Sequence, residues 1–136
     1  MTSGCYETHT HASVTSLAPL PASLPAGAAP NTLEVVAEAE KYYKGEGVAR
    51  DLSRAAVLWK AAADCGNAGA QFCLATMHYF GEGVPVDLSS AATLLKQAAD
   101  QGHASAQFNL GCMHDKGEGV PQDKARAATL YEAAAD

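Results

Sequence analysis

Basic residues are scarce in this chain, and no Lys or Arg precedes Lys41. With 9 Lys and Arg against 15 Asp and Glu the formal net charge is −6. No basic stripe exists to follow a phosphate backbone, so nucleic acid is not an expected partner. No apolar run approaches the roughly 18 residues that a membrane-crossing helix needs. The N-terminus lacks the basic and continuous apolar regions of a secretory signal and the Arg of a mitochondrial presequence, so cytoplasmic residence is the expectation. Aromatic residues make up only 7% of the chain. The four cysteines, Cys5, Cys65, Cys73 and Cys112, form no CxxC pair and no zinc signature. They are expected to be free thiols under reducing conditions, with Cys73 and Cys112 half-buried within helices.

Abundant instead are Ala, Gly and a period. Gly-Glu-Gly-Val stands at Gly45–Val48, Gly81–Val84 and Gly117–Val120, each copy 36 residues after the last. An Asp follows each copy at one offset (Asp51, Asp87, Asp123), and then a paired Ala (Ala55-Ala56, Ala91-Ala92, Ala127-Ala128). Residues 65–100 and 101–136 are identical at 21 of 36 positions. A fixed period of this length is the signature of a repeat architecture.

Residues 1–30 are rich in Ser, Thr, Ala and Pro, with Glu7 as their one charged residue. Pro19, Pro21, Pro25 and Pro30 forbid a helix over the second half, so a disordered leader is expected over 1–30. A metal site on Cys5, His9 and His11 lacks a fourth ligand. From Asn31 the pattern turns helical. Asn31 lies three residues before Glu34, an Asx form of the capping box. Each unit then reads as two helices joined by the Gly-Glu-Gly-Val turn. Gly45, Gly81 and Gly117 serve as left-handed caps, Gly47, Gly83 and Gly119 ease the turn, and Asp51, Asp87 and Asp123 cap the second helix. The expected helices are 31 to about 44, 52 to 65, 68–80, 88–100, 104–116 and 124–136. They group into hairpins 31–66, 67–102 and 103–136, an all-α solenoid of three antiparallel helical hairpins in a single repeat domain over 31–136.

Candidate chemistry is thin. His78 and His114 recur 36 apart. Equivalent helices lie about 8–10 Å apart, too far for two imidazoles to share a zinc at about 2.0–2.1 Å. A packed, hydrogen-bonded histidine is the expectation for each. Asp51, Asp87 and Asp123 are spread over three turns and do not converge as a carboxylate pair. No nucleophile elbow, P-loop, HExxH or dinucleotide fingerprint occurs, so neither an enzyme activity nor a cofactor is expected. The first helices of the hairpins are expected to line a concave wall that receives a protein or peptide. The residues off its apolar stripe are Cys73, Thr76, Tyr79 and Phe80 in one unit and Asn109, Cys112, Asp115 and Lys116 in the next. Tyr79 and Phe80 suit either an interface anchor or packing beneath the Gly81 turn. At the start of the array Glu34, Glu38 and Lys41 replace the apolar stripe of the later units. At its end Ala127, Ala128, Leu130, Tyr131, Ala134 and Ala135 keep that stripe. Self-association through the last helix, or a longer parent array, is therefore expected.

The third copy carries Ala106, Leu110-Gly111, His114, Gly117-x-Gly119-Val120, Asp123, Ala127 and Ala134-Ala135. In this the chain resembles the Sel-one-like repeat family, a relative of the tetratricopeptide repeat. His78 and His114 stand at the family's Tyr position, which Tyr42 keeps, and Ala75 replaces the Gly of Leu-Gly. The resemblance implies a non-enzymatic protein-binding scaffold or adaptor without general catalytic residues. It also leaves an alternative, the secreted, disulfide-stapled cysteine-rich branch linked to penicillin binding or hydrolysis. Cys65 and Cys73 have that branch's spacing of eight. They lie two positions late, where Ala63 and Gln71 would be the matching pair, which is about 200° of helix rotation. A fragment of a longer repeat protein is the third reading.

Overall fold

The computed structural model describes residues 32–136. The expected leader over 1–30, the Asn31 cap and the Cys5, His9 and His11 reading lie outside the described residues. Six helices account for the regular structure of the described residues: α1 (Thr32–Lys44), α2 (Leu52–Asp64), α3 (Ala68–Phe80), α4 (Leu88–Asp100), α5 (Ala104–Lys116) and α6 (Lys124–Ala135). Each packs on its neighbours in sequence, α1 on α2, α3 on α4 and α5 on α6 within hairpins, and α2 on α3 and α4 on α5 between them. The described residues form an all-α solenoid of three helical hairpins, and α2 and α6 each end one residue short of expectation, at Asp64 and Ala135.

The turns show how the repeat enforces this architecture. Gly81 closes α3 at φ 73°, ψ 38°, the left-handed conformation that a side chain resists. The Met77 carbonyl accepts from both Gly81 N at 2.7 Å and Glu82 N at 2.9 Å, and the Asp87 N–H returns to the His78 carbonyl at 2.9 Å. The same closures recur around Gly45 and Gly117. The Asp87 carboxylate then accepts from Ser90 N at 3.1 Å, as Asp51 does from Arg54 N and Asp123 from Arg126 N, both at 3.0 Å. Each Asp thus satisfies a free N–H at the positive end of its helix.

Small residues set the packing distance. Ala39, Ala55, Ala62, Ala70, Ala91, Ala98 and Ala106 are fully buried. They let helices approach closely around a few large side chains, of which Trp59, Phe72, Met77 and Met113 are the most enclosed. The hairpins also interlock at the turns. A Cβ at Gly83 would lie 2.6 Å from the Leu52 carbonyl, and one at Gly119 would lie 2.5 Å from that of Leu88. The second glycine of each of these turns is therefore wedged against the first residue of the preceding hairpin's second helix.

The polar start of the array is visible in the same positions. Ala70, Leu74 and Met77 are buried, as are Ala106, Leu110 and Met113. Their counterparts Glu34, Glu38 and Lys41 are exposed or half-buried, and Glu38 pairs with Lys41 at 3.7 Å.

Candidate functional site

The eight residues expected on the wall of first helices do not share one fate. Every residue from Ala70 to Met77 in α3 is buried. Cys73 and Thr76 are among them, and the expectation that they face a partner is corrected here. The middle of α3 packs between α2 and α4, so Cys73 and Thr76 face neighbouring side chains rather than water. Thr76 Oγ1 donates to the Phe72 carbonyl at 3.0 Å, which satisfies its hydroxyl inside the helix.

Tyr79 and Phe80 sit where α3 emerges. The Tyr79 hydroxyl donates to Glu118 Oε1 at 2.7 Å. That carboxylate, followed by burial, pushes the phenol up to about 12. Phe80 is 54% exposed and meets the Tyr79 ring edge-on at a centroid distance of 4.9 Å. An exposed aromatic ring is thereby held against a second ring whose tip is fixed by a charge-assisted hydrogen bond.

In α5, Asn109, Cys112 and Asp115 are half-buried and Lys116 is exposed. Cys112 Sγ accepts from the Tyr131 hydroxyl at 3.5 Å, and this contact, ahead of burial, pushes the Tyr131 phenol up to about 12. Asp115 pairs with Lys124 at 2.8 Å, while Gln122 Nε2 donates to the Asp115 carbonyl at 2.8 Å. The Tyr131 ring also lies 5.4 Å from Phe108, which is exposed.

Nothing in the periodic pattern alone marks the middle residue of Gly-Glu-Gly-Val. Yet Tyr43 donates to Glu82 Oε1 at 3.0 Å, the counterpart of Tyr79 on Glu118. The signal is a Tyr at 43 and 79 with a Glu 39 residues beyond each. His103 is a second residue that the pattern does not announce. Its Nδ1 caps α5 by accepting from Ala106 N at 3.2 Å, and its ring stacks on Phe72 at 4.9 Å.

The repeating histidines differ from one another. His114 Nδ1 lies 3.4 Å from the Pro121 carbonyl. His78 Nδ1 is buried and makes no hydrogen bond, so the expected bond is present at His114 and absent at His78. Among the described residues no three His, Cys, Asp or Glu side chains stand together as metal ligands. Cys65 is exposed just past the end of α2, Cys73 is buried in α3 and Cys112 is half-buried in α5, and none of the three is in a disulfide. Full burial of Cys73 departs from the half-buried expectation, because a small side chain is what the crowded centre of α3 accommodates. An open groove between α2 and α4 is floored by Leu74 and His78 and edged by Ser89, Ser90 and Thr93. No nucleophile–base pair converges there.

Comparison with known proteins accords with this geometry. A family model described as Sel1 repeat matches residues 39–67, 68–103 and 104–136. Among solved structures, a protective antigen present in uropathogenic Escherichia coli strains, displaying an SLR fold, superimposes with a TM-score of 0.76 at 35% identity. That match covers 76% of this chain and 22% of the antigen. A Sel1 repeat protein from Oxalobacter formigenes gives a TM-score of 0.76 at 30% identity, over 77% of this chain and 43% of that one. The chain thus spans under half the length of either structure. No curated protein matches it.

Proposed function

We propose, since this chain belongs to the Sel1 repeat family, that it is a scaffold whose repeat domain over 31–136 captures a protein or peptide on the wall of first helices. Proteins of this family are generally protein–protein interaction modules and typically non-enzymatic. The observation that carries the finer reading is the Tyr79–Phe80 pair. Phe80 presents a large apolar ring to solvent, its edge contact is fixed by Tyr79, and Tyr79 is fixed by Glu118. A ring immobilised before binding loses little entropy on contact, which is what an anchor residue requires. Asn109, Asp115 and Lys116 supply polar groups along α5, and Asp115 and Lys116 give it one charge of each sign. This reading goes with a reducing compartment such as the cytosol, where Cys65, Cys73 and Cys112 stay thiols. No helix among the described residues is long and apolar enough to cross a membrane.

The test is proximity labelling in the native host with tagged wild type, Phe80→Ala and Lys116→Glu. A partner crosslinked by the wild type and lost from Phe80→Ala, with unchanged melting of the variant, supports the reading. An identical labelled set from all three proteins rejects it.

A further inference from the structure

The last carbonyls of an α-helix have no partner within the helix, and the three hairpins treat one of them differently. In the first hairpin Arg50 Nε donates to the Tyr43 carbonyl at 3.1 Å, with its guanidinium carbon 6.0 Å from the Tyr43 ring centroid. In the third hairpin Gln122 Nε2 donates to the Asp115 carbonyl at 2.8 Å. Each donor stands seven residues after the carbonyl it caps. Each also lies over its left-handed glycine. A Cβ at Gly45 would meet Arg50 Cβ, and one at Gly117 would meet Gln122 Cβ, both at 3.2 Å.

The middle hairpin keeps the geometry and lacks the donor. Val86 stands seven residues after Tyr79 and lies over Gly81, where a Cβ would meet its Cγ2 at 2.7 Å. Its side chain ends in methyl groups, so it has nothing to donate to the Tyr79 carbonyl. Val86 is 61% exposed, and Phe80 beside it is exposed as well. Phe80 is the counterpart of Lys44 and Lys116, as Val86 is of Arg50 and Gln122. Both exchanges in this loop therefore replace a polar side chain with an apolar one. They leave a helix-end carbonyl without its side-chain cap, bordered by a ring and a valine.

Charge selects what fills the place. Between Lys60 and Lys96 the sequence carries Asp64, Glu82 and Asp87 and no Lys or Arg. Glu118 adds its carboxylate where it accepts from the Tyr79 hydroxyl. The end of α3 contributes the negative pole of its dipole. Lys44 and Lys116 hold the position of Phe80 in the flanking hairpins, about 8–10 Å away, where salt screens most of their repulsion. A cation that donates to a carbonyl and also lies flat against a ring is a guanidinium. Arg50 supplies that group in the first hairpin.

On the reading of Phe80 as a partner anchor, we infer that the Tyr79 carbonyl, Phe80 and Val86 form a seat for an arginine of the partner protein, set as Arg50 is set in the first hairpin. The guanidinium donates to the Tyr79 carbonyl and its plane lies on the Phe80 ring. The residues flanking that arginine are apolar and cover Val86.

The probe is a blocked peptide, acetyl-Leu-Arg-Leu-amide, titrated into the isotope-labelled chain and followed by amide chemical shifts. Saturable shifts centred on residues 79–87 are expected, with none around Arg50 or Gln122, where the cap is already made. Citrulline in place of the arginine removes the charge and should bind at least about tenfold more weakly. Val86→Gln copies Gln122 and caps the Tyr79 carbonyl from within. That variant should melt at or above the wild type and lose the peptide by a similar factor. No shift at tens of millimolar peptide, shifts centred elsewhere, or equal binding of the citrulline peptide overturns the inference. So does equal binding of the arginine peptide to Val86→Gln.

Val86→Gln, added to the proximity labelling, separates this inference from the scaffold reading. A partner lost from both Phe80→Ala and Val86→Gln is expected. One lost from Phe80→Ala but kept by Val86→Gln removes the arginine seat and leaves the scaffold reading standing. A labelled set unchanged by Phe80→Ala rejects the scaffold reading, whatever the peptide does.

Discussion

The Tyr79 hydroxyl reaches across a hairpin boundary to Glu118 at 2.7 Å, and Tyr43 makes the same reach to Glu82 at 3.0 Å. In each case the last turn of one hairpin's first helix holds the loop of the next hairpin. The bond acts with the wedged glycine of that loop, since Gly119 presses on Leu88 as Glu118 accepts from Tyr79. One side of the loop is fixed by a polar contact and the other by backbone contact. Stacking angle between hairpins is thereby set at the loops as well as by the helices.

Removal of this contact has a measurable cost. Tyr79→Phe and Glu118→Gln should each lower stability by about 1 kcal/mol, since the bond is charge-assisted but half-exposed. A double-mutant cycle in urea should return a coupling of about 0.5 kcal/mol or more. Folding raises the Tyr79 pKa from about 10 to about 12, so its contribution is complete below pH 10 and fades as pH rises through 12. The melting difference between wild type and Tyr79→Phe should therefore be flat below pH 10 and shrink above it. Additive single mutants would show that the two side chains do not act together.

The three loop glycines, equal in sequence, should not be equal in tolerance. Gly47, Gly83 and Gly119 share φ of 74–76°. An Ala at any of them pays roughly 1–2 kcal/mol for the left-handed backbone. A Cβ at Gly47 meets nothing within 4 Å, whereas Gly83 and Gly119 face carbonyls at 2.6 and 2.5 Å. Gly83→Ala and Gly119→Ala should cost about 1–3 kcal/mol more than Gly47→Ala, because the preceding helix has to shift. Equal losses in chemical denaturation would mean that the hairpins give way freely at the loops.

Much of this was legible in the sequence because period, turn glycines and capping Asp residues are local devices. Gly81 at φ 73° and Asp87 bonded to Ser90 N follow from backbone rules that act within a few residues. The polar exchange at Glu34, Glu38 and Lys41 could be read for the same reason, by aligning one unit with the next. Cys73 and Thr76 could not be placed from periodicity. Their burial depends on flanking hairpins closing over α3, and the same position is buried at Cys73 and half-open at Asn109. The Tyr–Glu bonds were hidden by their span of 39 residues, just beyond one period.

Asp87 offers a pH test on the acid side. Hydrogen bonds from the Ser90 backbone, then from its hydroxyl, hold the carboxyl below its ordinary value. The stabilisation is therefore present above the unfolded value of about 3.9 and lost as pH falls through the lower folded one. Asp87→Ala should melt below wild type at pH 6, and the gap should narrow steadily below pH 4. A gap independent of pH would assign the effect to helix propensity rather than to the charged cap.

The last hairpin sets Gly111 against Tyr131, and the corresponding positions of the middle hairpin, Ala75 and Leu95, are both buried. A Cβ at Gly111 would lie 2.9 Å from Cε1 of the Tyr131 ring and 3.3 Å from the Ala127 carbonyl. The broad ring and the missing Cβ are thus complementary, and the ring is further tied by its hydroxyl to Cys112 at 3.5 Å. Gly111→Ala should gain about 1 kcal/mol of helix propensity yet lose more by displacing that ring. Tyr131→Leu alone should leave a gap over Gly111 and also destabilise. Together the two substitutions reproduce the Ala and Leu that stand, both buried, at the corresponding positions of α3 and α4. The double variant should unfold at a urea concentration at or above that of the wild type, with a coupling of about 1 kcal/mol or more between the sites. A double variant no better than the sum of its parts would show that the ring moves aside without cost, and that Gly111 serves some purpose other than making room for it.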